Sequence, residues 1–295
     1  MARGALMEWL QGLGRAMLAV AAFLVVGVLA TLVLLLLAGG GAIPETLPDA
    51  RLGWRIVVQP LATTLGFLVA TWLVGVVFLR RSWRDWGWRA DRGLLRRILR
   101  GTAIGAVMAA GAVGVALAGG ARLRVEPGLD TYLAAVAPLA VMLLGAALAE
   151  ELVFRGLPLR RLADALGPGT ASLVLAAAFA VAHLGNPAAS VFGALNIALA
   201  AVWLAVAFFS PGGMALAWGL HFGWNATLAL GFDAPVSGFM MRVPGPEYLP
   251  GPWAWLDGGA FGPEGGVVAT LAMAAGTAYL LRGQRRGPAP AWLSA

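Results

Sequence analysis

No cysteine and no lysine occur in the 295 residues, and histidine occurs only twice. Without cysteine there is no disulfide framework, no thiolate nucleophile and no thiolate metal site. Charge is scarce as well: 12% of the residues are charged against 60% hydrophobic. A soluble domain carries about a quarter charged residues, so that class is excluded, and the apolar content excludes a disordered chain. What remains is an all-α polytopic membrane protein. The net charge of +7 comes from arginine alone. It does not point to nucleic acid, because eight arginines crowd between Arg80 and Arg100 directly after an apolar run. That is the pattern of a cytoplasmic membrane loop.

Hydropathy predicts about eight transmembrane helices: Ala16–Leu37, Ile56–Phe78, Ala103–Ala118, Thr131–Ala149, Thr170–His183, Val191–Phe209, Met214–Leu230 and Gly266–Leu281. The first run is too long for a signal-peptide core of about 7–15 residues. Gly39, Gly40, Gly41 and Pro44 are expected to end it. The fourth is expected to stay helical past Glu150 and Glu151 to Leu162, bent at Pro158. Arginines concentrate in the loops on the side of the termini, including the tail with Arg282, Arg285 and Arg286. Both termini are therefore expected in the cytoplasm and the protein in the cytoplasmic (inner) membrane.

Three regions follow. Residues 1–130 form an N-terminal transmembrane region, with an Arg- and Trp-rich segment at 80–100 read as an interfacial helix on anionic lipid. Residues 131–230 hold the helices that carry ionisable groups. Residues 231–295 comprise a long loop rich in Pro, Gly and Trp, the last span and a basic tail. The loop at 231–264 offers no site residue to sequence reasoning beyond its unusual length.

Ionisable residues inside apolar spans are costly and are functional candidates. Here they are Glu150, Glu151, Arg155, His183 and His221, with the polar Asn225. One such residue is readily explained as helix–helix glue; this many on three spans is not. Glu151 and Arg155 stand four apart, the favourable order for a helical ion pair. Glu150 points about 100° away and is left to face a cavity. His221 and Asn225 share a helix face, as do Phe179 and His183. A carboxylate and an imidazole from separate helices can share one water, take its proton and return it to a leaving amine. A second histidine with an amide can donate to a developing oxyanion. The set suits acyl-bond hydrolysis by activated water. The six serines lie in no nucleophile motif, the aspartates fall in predicted loops, and an H-E-x-x-H zinc motif is absent.

Glu150-Glu151-x-x-x-Arg155, Phe179-x-x-x-His183 and His221-x-x-x-Asn225 occur in this order on successive helices. They resemble the CPBP family of intramembrane proteases, which includes CAAX prenyl endopeptidases and bacteriocin-processing and self-immunity proteins. The motifs span about a quarter of the chain. The resemblance implies a membrane-embedded endopeptidase with its active site inside the helix bundle and a peptide or membrane-anchored protein as substrate. By motif position, Glu150 is the base on water, assisted by His183. His221 and Asn225 form the oxyanion site, Glu151 and Arg155 support it, and Phe179 packs beside His183. The family is commonly described as metalloproteases. Zinc is not required by a glutamate–histidine mechanism; if present, Glu150, His183 and His221 are its ligands. Two other readings compete: a non-catalytic immunity factor or partner-binding scaffold of the same fold, and a transporter with a Glu/His proton relay. The second would call for inverted repeats, and none is evident.

Overall fold

A computed structural model of the chain describes residues 2–39, 50–125 and 129–285. The expected stop at Gly40, Gly41 and Pro44, and Arg286 of the basic tail, lie outside the described residues. The helices are α1 (Ala2–Leu37), α2 (Val58–Ala70), α3 (Leu94–Ala118), α4 (Leu129–Phe154), α5 (Leu157–Leu166), α6 (Pro168–Ala182), α7 (Val191–Phe208), α8 (Gly213–Ala226), the short α9 (Ala254–Asp257) and α10 (Val267–Arg285). Among the described residues, five stretches are long and apolar enough to cross a membrane: Gly4–Leu37, Trp54–Phe78, Leu94–Ala118, Asp130–Leu166 and Val191–Phe208. Shorter apolar helices at Pro168–Ala182 and Val267–Gly283 accompany them. The predicted span Met214–Leu230 is helical too, α8 continuing as a π-helix over Thr227–Gly231. The fold is an all-α polytopic membrane bundle.

Two boundaries differ from the sequence reading in ways that matter. The fourth span does not bend at Pro158; it breaks. Gly156 adopts φ −52°, ψ −114°, outside the helical region, and α5 starts afresh with proline in its first turn, where a missing N–H costs nothing. The α4–α5 stretch is 37 residues from Asp130 to Leu166. Glu150 therefore sits about 30 Å along α4 from Asp130, in the last turns before the break. The second difference is the Arg-rich segment, which is not a single interfacial helix. Trp83–Trp86 is one 3₁₀ turn, boxed by Ser82 and Asp85 and ended by Gly87 at φ 86°. Trp86 is 1% exposed and lies against Gly75, where a Cβ would come 2.6 Å from its indole nitrogen. Trp88 stands edge-on to Trp218 with ring centroids 6.4 Å apart. Two of the three tryptophans are thus internal anchors, and only Trp83 stays exposed. Helix α3 begins nine residues earlier than hydropathy predicts, because Leu94, Leu95, Ile98 and Leu99 continue its apolar pattern between the arginines.

That extension builds the closest contact in the bundle. Gly101 and Gly105 of α3 meet Gly219 and Gly223 of α8. A Cβ at Gly105 would lie 2.1 Å from the Leu220 carbonyl oxygen, and one at Gly219 would lie 2.1 Å from that of Ile98. Lipid tails are as apolar as leucine, so helices gain little by hiding apolar surface from them. Close backbone approach at small residues supplies the packing instead. Both sequences are G-x-x-x-G, and His221 lies inside the second.

One end of the bundle is covered by residues 232–266. A two-stranded antiparallel ribbon pairs β1 (Arg122–Val125) with β2 (Pro246–Leu249), and Arg124 pairs with Glu247 across it. Asp233 follows the π-helix, is 5% exposed, and accepts the N–H of Val243 at 2.9 Å. Burial pushes its carboxyl up to about 7, Glu247 adding to the effect and the Val243 and Arg242 N–H groups opposing it.

Two outcomes are expected. Gly219→Ala forces the helices apart and should lower stability by about 1–3 kcal/mol. Gly111→Ala, with open space around it, should not; equal thermal unfolding of the two in detergent would refute the seam. For Asp233, the folded loop favours the protonated acid. Its contribution is complete below the ordinary carboxylate range and is lost as pH rises through about 7. Proteolytic nicking of residues 232–266 should therefore be faster at about pH 8 than at about pH 6. Asp233→Asn should remove that difference.

Candidate active site

Glu150 and Glu151 are adjacent in α4 and meet opposite environments. Glu151 is fully buried, and its Oε1 accepts both Arg155 Nη1 at 3.1 Å and His221 Nδ1 at 2.9 Å. Arg155 is itself 2% exposed, with its guanidinium carbon 4.6 Å from the centre of the Phe179 ring. The carboxylate thus joins α4 to α8 and fixes the His221 ring. Because the carboxylate only accepts, Nδ1 carries the proton and Nε2 is presented to the cavity.

Glu150, one residue earlier, turns to that cavity. Its side chain is 38% exposed, with Oε2 3.7 Å from His221 Nε2. That separation is too long for a direct hydrogen bond and is one that a single water can bridge. His183 caps the C-terminus of α6 rather than lying within the span. Its Nδ1 donates to the Phe179 carbonyl at 2.7 Å, which again leaves Nε2 free. The Phe179 ring lies between the two imidazoles, with centroids 4.4 Å from His183 and 6.5 Å from His221. Among the described residues no ion pair joins His183 to either glutamate; His221 is the imidazole nearest Glu150. Asn225 lies one turn beyond His221 on α8.

Glu150, His183, His221 and Asn225 line one cavity of about 1210 Å³ whose remaining wall is largely apolar, with Leu32, Met142 and Trp203 among its members. All four candidate residues are therefore brought together. A metal is a different matter: among the described residues, no three His, Asp or Glu side chains converge to hold an ion. The Nδ1 partners leave each Nε2 free, as a metal ligand requires, but His183 stands apart from the Glu150–His221 pair. The arrangement does not fit the zinc site that Glu150, His183 and His221 would have formed, and no step below uses one.

Residues 132–227 match the family model of type II CAAX prenyl endopeptidase Rce1-like proteins. Over these residues the chain is similar to the CAAX-protease family. The match covers about a third of the chain and contains every motif residue named above. No curated protein and no solved structure matches the chain. At the family level the match supports a CAAX-type intramembrane protease.

Sequence reasoning missed the residues that frame the site from outside the motifs. Asn196 of α7 donates to the backbone carbonyls of Glu264 at 2.9 Å and Gly266 at 2.8 Å, and accepts from Thr270 at 2.7 Å. Ser237 and Glu264 of the long loop line the cavity. The available signals were a lone asparagine in an apolar span and a lone glutamate in a Gly/Pro loop.

Glu151→Gln tests the anchor. Glutamine keeps an oxygen for both donors, and its NH₂ takes the place of Oε2, which has no partner among the described residues. Only the charge is lost, leaving Arg155 buried and uncompensated. The expected cost is about 3–5 kcal/mol of stability. Glu150→Gln, in the half-exposed position, should unfold as wild type does; equal losses for the two would refute the division of roles.

Proposed function

We infer that the chain is an endopeptidase that hydrolyses a peptide bond in a membrane-associated peptide or protein, using water activated by Glu150. The observation that carries this reading is a half-exposed carboxylate facing a cavity that also receives His183, His221 and Asn225. Glu150 takes the proton of a water held near His221 Nε2. The resulting hydroxide attacks the carbonyl carbon, and the proton passes to the leaving nitrogen. His183, with Nε2 on the cavity, assists in holding the water. Asn225 donates its amide N–H to the oxyanion, and His221 is the second donor whenever Nε2 carries a proton. Glu151 and Arg155 keep His221 in place without touching the substrate. The apolar wall suits an uncharged, lipid-facing stretch of substrate.

The arginine bias supports a reading with both termini in the cytoplasm and the protein in the cytoplasmic membrane, with the bilayer as its constant partner. Nucleic acid has no part in this reading.

The test needs no prior guess about substrate. Protein termini are compared in membranes from cells that make wild type or Glu150→Gln at equal level. Termini that appear only with wild type are expected; identical sets would leave the same fold serving as a scaffold or immunity factor. With a purified substrate so identified, Asn225→Ala is expected to lower kcat by about 10²–10³-fold without unfolding the protein.

A further inference from the structure

Glu264 lies outside the family match, in the loop before α10, and is 4% exposed. Its Oε1 accepts the indole N–H of Trp224 at 2.9 Å. Its Oε2 accepts the Ser237 backbone N–H, and the Ser237 hydroxyl at 3.0 Å. The indole and the amide can only donate, so both carboxyl oxygens accept, and the Ser237 hydroxyl is a third partner. No cation pairs with it among the described residues. A buried acidic side chain in a membrane bundle is costly to keep.

Its partners lie on the two sides of the site. Trp224 immediately precedes Asn225 and stands one turn from His221 on α8. Ser237 has φ 48°, a left-handed conformation rare outside glycine, and its carbonyl accepts Asn186 Nδ2 at 2.9 Å. The Asn186 backbone N–H in turn donates to the His183 carbonyl at 3.1 Å. Gly238 packs so tightly that a Cβ there would lie 2.0 Å from the Pro187 carbonyl oxygen. A continuous chain of contacts thus runs from α8 through Glu264, Ser237 and Asn186 to the turn that carries His183. Among the described residues His183 has no ion-pair partner, whereas His221 is held by Glu151.

We propose that Glu264 is a positioning residue that holds the His183 turn in register with the His221–Asn225 face of α8. Its catalytic consequence rests on the peptidase reading; the positioning itself does not. In the carboxylate, both oxygens accept. In Glu264→Gln one oxygen becomes NH₂, and whichever way the amide turns, it opposes an N–H of Trp224 or Ser237. The clasp then opens on one side.

The protein's only two histidines make the test direct. In full-length protein labelled with ¹⁵N at histidine alone, each imidazole gives its own signals, assigned by His183→Gln. Glu264→Gln is expected to shift and broaden the His183 signals and leave those of His221 in place. On a substrate peptide, kcat is expected to fall about a hundredfold with KM changed less than about twofold. Adding Trp224→Phe removes the opposed indole N–H, lets the glutamine oxygen face Ser237, and should bring the His183 signals back toward wild type. His183 signals identical to wild type in Glu264→Gln would overturn the proposal. So would equal disturbance of both histidines, the mark of general loosening. If Glu264→Gln does not fold, Asn186→Ala opens the chain at its other end while Glu264 keeps its three partners. It must then move the His183 signals alone, and failure to do so overturns the proposal equally. A wild-type protein that cleaves nothing counts against the peptidase reading only, because the spectra contain no substrate.

Discussion

A full negative charge sits on Glu151 with no exposed surface, and it persists because Arg155 and His221 both donate to the same oxygen. In a bundle surrounded by lipid an unpaired charge of this kind would be intolerable, so the three groups are obliged to stay together. That obligation sets the rotation of α4 about its own axis. It also sets the height of α8 beside it, since His221 can reach Glu151 from only one turn of its helix. Phe179 completes the arrangement by offering its ring to Arg155 and its neighbourhood to both histidines.

The glycine seam meets the same requirement from the other side. Gly219 and Gly223 let the α8 backbone approach Ile98 and Thr102 of α3 closely. The face of α8 opposite a glycine stripe must then point elsewhere, and His221 and Asn225 are on it. Backbone contact behind and a buried ion pair in front hold the same five-residue stretch of α8. At its start, the Met214 N–H donates to the Gly87 carbonyl at 3.0 Å, so the turn that follows the buried Trp86 also fixes where α8 begins. The Arg- and Trp-rich segment thus bears on the site through packing, a role distinct from the lipid contact its composition suggests.

The spans were legible in the sequence because burial in lipid leaves long apolar runs. The motif residues were legible because ionisable groups are rare within those runs. The 100° step between Glu150 and Glu151 follows from helix geometry alone and is what the structure contains. Less was legible where one residue type serves two purposes. Arg96, Arg97 and Arg100 marked the segment as a loop by charge, yet they sit on a helix whose other face packs on α8: Arg96 and Arg100 are exposed and Arg97 folds back onto Asp91 and the Arg89 carbonyl. Pro158 read as a bend because proline inside a helix usually is one. The preceding Gly156 leaves the helical region, and that turns the bend into a break. The long loop was illegible for a different cause: Glu264 and Ser237 join across 27 residues with no periodicity to announce it.

Two adjacent carboxylates of the same type have been given different fates by a single counter-ion. Arg155 can satisfy one glutamate, and helix spacing awards it to Glu151, four residues away. Among the described residues Glu150 has no arginine partner; it faces the cavity with His221 Nε2 at 3.7 Å. A carboxylate locked to a guanidinium has its lone pairs occupied and is a poor base. One that faces a cavity beside an imidazole, with no guanidinium on it, is free to accept a proton. In the proposed reading the division of labour follows from where the arginine stands: one glutamate carries the charge that builds the site, and its neighbour is left for the chemistry.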